Sequence, residues 1–280
     1  MLSYRHSFHA GNFADVLKHL VLINILGHLN KKPKPWCGID THAGPGDTIL
    51  TSSYALKNRE FDNGIGKLWQ RHDLPAALAQ YVESVRQLNA DGELHRYPGS
   101  PLLFQQFLRE SDRLFLYELH PSEIPLLSAN VAGDRRIKAI HGDGLAAAVG
   151  LLPPKEHRGV VLIDPAYEVK DDYRRVVEVL LKYYQRFATG TFALWYPVVD
   201  RKRNQHLELA LQNTALKNVH LYELGIQPDS VGHGMTASGM IVVNPPWTLA
   251  ADMHSCLPYL ADVLGIDGNG SYRISQLLAE

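Results

Sequence analysis

The sequence predicts an α/β fold on an open, mostly parallel sheet with helices on both faces. Three observations carry that reading. Short apolar runs alternate with longer stretches of helical period, seven of the runs have strand length, and four successive ones run into an acid. The seven are PWCGIDT (35–41), RLFLYEL (113–119), IKAIHGD (137–143), GVVLIDPA (159–166), TFALWYPV (191–198), NVHLYELGI (218–226) and GMIVVNPP (239–246). Helical period fills 122–132, 171–187 and 200–216. In the second of these, acids open the first turn and Arg186 sits in the last, as the helix dipole favours. A further helix precedes the first strand. Asn12 can cap it, Asp15 stands at capping-box spacing, and Phe13, Val16, Leu17, Leu20 and Val21 form its apolar stripe. Residues 47–110 interrupt the alternation. LPAALAQYVESVRQLN and SPLLFQQFLRE read as helices there, with no clear strand, so this stretch is expected to be a helical insertion within a single domain spanning 1–280.

Composition narrows the function classes. Lys plus Arg (28) nearly balances Asp plus Glu (29), so any nucleic-acid surface must be local. Two cysteines without CxxC spacing give neither a disulfide framework nor a zinc site, and they point to a reducing, cytoplasmic compartment. The 14 histidines are scattered, so no metal centre is expected. The polar start MLSYRHSFHAGN is not a signal peptide, and no apolar run has the length to cross a bilayer, so no membrane partner is expected.

Ligands of open parallel sheets sit outside the carboxyl ends of the strands. After strand one comes DTHAGPGD, Asp40 to Asp47, where Gly44 and Gly46 permit a tight turn close to a ligand. It is not GxGxxG and no helix starts at once, which argues against a dinucleotide pyrophosphate and an NAD-dependent oxidoreductase. Glu118 follows strand two, placed for ribose hydroxyls. Asp143 and Gly144 follow strand three, where an acid can accept from an adenine amino group. Asp164 ends strand four. Any one of these acids can cap a helix; four in succession suit an adenosine-bearing cofactor without a diphosphate.

This set resembles Rossmann-type S-adenosylmethionine-dependent methyltransferases, and DPAY (164–167) resembles their (D/N)PP(Y/F/W) motif for exocyclic amino groups. The lone pair of an adenine N6 is delocalised into the ring. Two acceptors, the Asp164 side chain and the Pro165 carbonyl, pull the nitrogen toward tetrahedral geometry and free it to attack the methyl. Tyr167 is the expected stacking platform. Ala166 replaces the usual second proline and gives up a locked φ, not an acceptor. NPPW (244–247) matches the motif better. In this fold, however, a seven-stranded mostly parallel sheet, the last strand is antiparallel and inserted beside strand five. Its carboxyl end then points away from the cofactor, so NPPW is expected to be a turn with Trp247 packed on the core.

MLSYRHSFHAGNFADVLKH, IDTHAGPGD, YPGSP (97–101), ELHP (118–121), RFATGTFALWYPVV and GMTASGMIVVNPPW together look like the RlmJ family of 23S ribosomal RNA adenine-N6 methyltransferases, over nearly the full chain. The resemblance implies S-adenosylmethionine as cofactor and a small helical subdomain inserted after strand one. It carries cofactor contacts onto His19, His42, Ser100, Glu118, Asp143, Gly144 and Asp164. It places Lys18 and Tyr4 near the cofactor and the RNA. Ser100, in a turn, can donate to the methionine carboxylate. His19 lies off the apolar stripe of its helix, where a histidine is as often merely solvated. Tyr4 and Arg5, in a polar segment with His6 and His9, suit base stacking and phosphate contact. KKPK (31–34) and DRKRNQH (200–206) add local positive charge. A monomer without an obligate protein partner is expected. A DNA adenine methyltransferase shares this chemistry, and a non-catalytic RNA-binding or assembly factor could keep the fold.

Overall fold

The structure, a computed structural model, describes residues 9–168, 171–229 and 234–280. Its central sheet contains β1 (Cys37–Asp40), β4 (Arg113–Glu118), β5 (Ile137–His141), β6 (Gly159–Ile163), β7 (Thr191–Val198), β8 (Val219–Gly225), β9 (Ala237–Val243) and β10 (Ser271–Leu278). Their order is β10-β8-β9-β7-β6-β1-β4-β5. The chain builds outward from β1 through β4 to β5, then returns to the other side of β1 with β6 and β7. All four neighbouring pairs there are parallel, with Asp40 opposite Leu116 on one side and Leu162 on the other. That reversal between β1 and β6 is where a doubly wound sheet leaves a crevice at its carboxyl edge.

Alternation along buried strands splits the core into two layers. Val160 and Leu162 pack on one face, Val161 and Ile163 on the other. The first face carries α1 (Phe13–Asn30), α5 (Ser100–Phe107) and α10 (Leu249–Leu264). The second carries α8 (Asp172–Arg186) and α9 (Arg201–Gln212). Gly38 is required on the first face: a Cβ there would stand 2.9 Å from both Leu114 and Phe104 side chains.

Several expectations are corrected. The sheet has eight strands among the described residues, because β10 pairs antiparallel with β8. The stretch 47–110 contains strands as well as helices. β2 (Asp47–Ile49) and β3 (Arg96–Pro98) form an antiparallel ribbon, Thr48 opposite Tyr97, around α2 (Ser53–Asn58), α3 (Ile65–Trp69) and α4 (Ala76–Arg86). Strands of three residues are too short to show a period. The capping box is half formed. Asn12 Oδ1 accepts from the Ala14 and Asp15 N–H groups, but the Asp15 carboxylate accepts from Gly11 rather than from Asn12. α1 has no solvated side for His19 to occupy. It lies between the sheet, α4, α5 and α10, so Lys18 and His19 are buried with the stripe.

β9 does run antiparallel between β7 and β8, so NPPW lies at the edge opposite the carboxyl ends of β1 and β6. Asn244 holds that turn. Its Nδ2 donates to the carbonyls of Ala188 (2.8 Å) and Gly190 (2.9 Å), and its φ is +50°. Trp247 does not pack on the core; it is 83% exposed, because the rigid Pro245–Pro246 step carries it past the sheet edge before α10 begins.

Asn244→Ala should therefore lower unfolding free energy by about 1–2 kcal/mol, from two lost hydrogen bonds and a left-handed backbone that Ala tolerates less well. Denaturant titration measures this, and an unchanged midpoint would refute the turn-holding role.

Candidate active site

A cavity of about 300 Å³ opens at the reversal point. Its wall includes Lys18 from α1, His42 to Thr48 from the loop after β1, Ser100 from α5, Glu118 to His120 after β4, Asp164 to Ala166 after β6, and Arg175 from α8. Of the sequence-predicted residues, Lys18, His42, Ser100, Glu118, Asp164 and Pro165 meet on this wall.

The loop after β1 approaches through positive φ at Gly44 (+62°) and Gly46 (+86°). The Glu118 carboxylate accepts the Gly44 N–H at 2.7 Å on one oxygen and the His120 N–H at 2.5 Å on the other. Two backbone donors thus aim both oxygens while leaving each a lone pair. Ser100, set beside β1 by the β2–β3 ribbon, donates to Asp40 Oδ2 at 2.6 Å, and the His42 N–H donates to Oδ1 at 3.1 Å. Asp40 is fully buried, and burial pushes its carboxyl up to about 7 against those two bonds. Burial also pushes the His42 imidazole down to about 4, so it is neutral at pH 7 despite Asp164 and Asp143 nearby. Its Nδ1 meets the Thr41 hydroxyl at 2.8 Å.

Lys18 ties the site together. Its ammonium is 2.6 Å from Asp164 Oδ2 and 2.8 Å from Asp15 Oδ1, with almost no exposure. The Asp15–Lys18 pair follows from i,i+3 spacing. The contact with Asp164 spans 146 residues, and no sequence signal marks it.

The remaining predicted residues lie outside the wall. His19 is buried, donating to or accepting from the Tyr97 hydroxyl at 2.7 Å with its ring stacked on that tyrosine. Asp143 caps the short helix α7 (Gly144–Ala147) and pairs with Arg175. Burial works to raise its carboxyl, and Arg175 and the Ala146 N–H hold it lower. Gly144 lets that turn lie under the end of β1: a Cβ would stand 2.2 Å from the Thr41 carbonyl. Tyr167 is half-buried at φ +51°, its hydroxyl donating to the Trp195 carbonyl (2.7 Å) and its ring 4.5 Å from that of Tyr173. Tyr4 and Arg5 lie outside the described residues. Arg175 is one wall residue that the sequence did not mark, with Glu123, Glu168 and Asp172, since nothing in RR at 174–175 distinguishes one arginine from the other.

An open α/β sheet with strand-end acids around a cavity at its reversal point, and an acid–Pro–x–aromatic loop on its wall, defines a Rossmann-fold S-adenosylmethionine-dependent methyltransferase. The donor set fits that cofactor: a doubly aimed carboxylate for hydroxyls, a glycine turn for close approach and, among the described residues, no phosphate cradle. The model of the family described as "Ribosomal RNA large subunit methyltransferase D, RlmJ" matches residues 33–278, and the chain belongs to that family. Proteins named "Ribosomal RNA large subunit methyltransferase J" from Haemophilus influenzae and Escherichia coli are 48% and 47% identical to it, each over the full length of both chains. A crystal structure of a Legionella pneumophila protein superposes with a TM-score of 0.89 at 35% identity, over 96% of this chain and 98% of that one.

The Asp40 carboxyl supplies a pH test. Its folded pKa of about 7 exceeds the ordinary value of 3.8. Its contribution to stability is therefore fully present below the unfolded value and is lost as pH rises through about 7. Relative to Asp40→Asn, the wild type should lose stability across that window, by roughly 4 kcal/mol at most. Denaturant melts at several pH values measure the difference, and a pH-independent gap would refute the assignment.

Proposed function

We propose that the chain methylates the N6 amino group of an adenine in 23S ribosomal RNA, acting in the cytoplasm as a monomer with no obligate protein partner. The observation that carries this reading is the position of Asp164 and Pro165 on the wall of the cavity. When bound, S-adenosylmethionine supplies an electrophilic methyl on a sulfonium. Glu118 takes the ribose hydroxyls, and Ser100 and Lys18 lie where the charged methionyl end would sit. Asp143, outside the wall but joined to the wall residue Arg175, is assigned to the adenine end, with Gly144 beside it. His19 and His42 complete the cofactor side, His19 from behind by fixing Tyr97.

At the target base, Asp164 and the Pro165 carbonyl accept the two N6 hydrogens. Lys18 holds Asp164 Oδ2, so the carboxylate enters the reaction already oriented and spends little reorganisation energy. Asp164 takes the proton that N6 releases once the carbon–nitrogen bond has formed. Tyr167, locked by Trp195 and Tyr173, offers a rigid ring beside the loop for the base. Tyr4, Arg5 and Lys18 are assigned to the RNA. Ala166 is exposed on the loop and takes neither acceptor away.

Asp164→Ala should lower single-turnover methyl transfer to a 23S fragment roughly 10²–10³-fold, the scale for losing one preorganised partner. Asn244→Ala should leave it intact. The product is checked as N6-methyladenosine by mass spectrometry; an active Asp164→Ala enzyme would reverse the assignment. By calorimetry, Glu118→Ala should weaken cofactor binding by about 1–3 kcal/mol. Undiminished affinity would remove Glu118 from the site.

A further inference from the structure

Trp247 is more exposed than any other large apolar side chain among the described residues, and its turn is rigidly built. Asn244 binds two carbonyls through its side chain, its own carbonyl accepts from the Thr191 hydroxyl at 3.0 Å, and two prolines follow it. This turn stands at the sheet edge opposite the cavity.

The same rim is basic. α1 ends at Asn30 and runs into Lys31, Lys32 and Lys34, all exposed. Arg109 donates to the carbonyls of Lys32 and Lys34, and Arg158 to those of Leu29 and Lys34, so the loop is pinned from below by two further cations. The acids nearby leave an excess of positive charge: Asp112 is buried against Arg109, and Glu156 against Arg113. The field is felt locally. After burial, Lys31, Arg158 and Lys32 are what hold the His28 imidazole below its ordinary value. The lysine loop leads into the start of β1, and the Trp247 turn follows Val243, which lies opposite Phe192 at the start of β7, so both stand at the same sheet edge; α1 also packs on α10, which begins two residues after Trp247.

We propose that this rim is a second RNA-binding surface. Trp247 stacks on an unpaired base, and Lys31, Lys32 and Lys34 meet phosphates of the substrate RNA remote from the target adenine. The inference rests on the RNA substrate proposed above. An exposed indole among cations matches the pairing of stacking platform and phosphate contact used for RNA. A protein interface would instead centre the tryptophan in a patch depleted of lysine. Along α1, Lys18 and Lys31 are about 20 Å apart by helical rise, so only RNA extending well beyond the target base reaches both.

The test compares two RNAs with the full-length protein: a short single strand that only fills the cavity, and an extended 23S fragment. Trp247→Ala should weaken affinity for the extended fragment about tenfold, the scale of losing one stacked base. The Lys31→Ala/Lys32→Ala/Lys34→Ala variant should reduce the salt dependence of that affinity by about two to three in log–log slope. Both should match wild type in thermal melt, cofactor affinity and methyl transfer to the short strand. Undiminished affinity of both variants for the extended fragment overturns the proposal. So does a loss seen only on particles containing ribosomal proteins, which would make the rim a protein contact. If the wild type itself methylates neither RNA, the substrate reading fails instead.

Discussion

The ammonium of Lys18 lies buried between two carboxylates, and the site is assembled around it. A lone buried cation would cost several kcal/mol, so α1 can place Lys18 there only with Asp15 and Asp164 in position. Asp15 comes from the same helix turn; Asp164 comes from the end of β6. One ion triad therefore fixes the helix that precedes the sheet against the loop that carries the acid–Pro–x–aromatic motif. The segment 47–110 braces α1 in turn. Glu60 accepts from Asn12 Nδ2 and meets His9 Nδ1, each at 2.9 Å, and Tyr97 meets His19.

Around this triad the other ionisable groups are paired or kept uncharged. Asp143 is matched to Arg175, burial keeps His42 neutral, and Asp40 is pushed toward neutrality while Ser100 and the His42 N–H fix its orientation. Glu118 is aimed by backbone donors, which do not titrate. The cavity wall is thus a set of polar groups fixed before a ligand arrives, the condition under which such groups act strongly on a reacting centre.

Two motifs of the same build end up at opposite edges because β9 runs against its neighbours. DPAY meets the cavity, and Tyr167 is drawn down against Trp195 and Tyr173. NPPW meets solvent, and its aromatic is pushed outward. Strand direction, more than motif quality, decides which one faces the cavity.

Much of this was legible in order of residues alone. The strands and their terminal acids were marked by apolar runs ending at Asp40, Glu118 and Asp164, and the reading of NPPW as a turn followed from the antiparallel last strand of the fold it resembles. Those features are local or follow from connectivity. Other features depend on what packs against what. His19 reads as a polar position off the apolar stripe of its helix, yet α1 is enclosed by elements from distant parts of the chain. Trp247 seemed a core residue, yet its turn projects past the sheet. The ribbon that sets Ser100 beside Asp40 has strands of three residues, too short for a period. The Lys18–Asp164 bond joins residues 146 apart. The sequence by itself determined the alternation of the main strands and helices, the acids at the strand ends and the family of the chain. Only the tertiary structure decided which side chains are desolvated and which distant charges pair, because burial and long-range contact are properties of the assembled layers and not of any one segment.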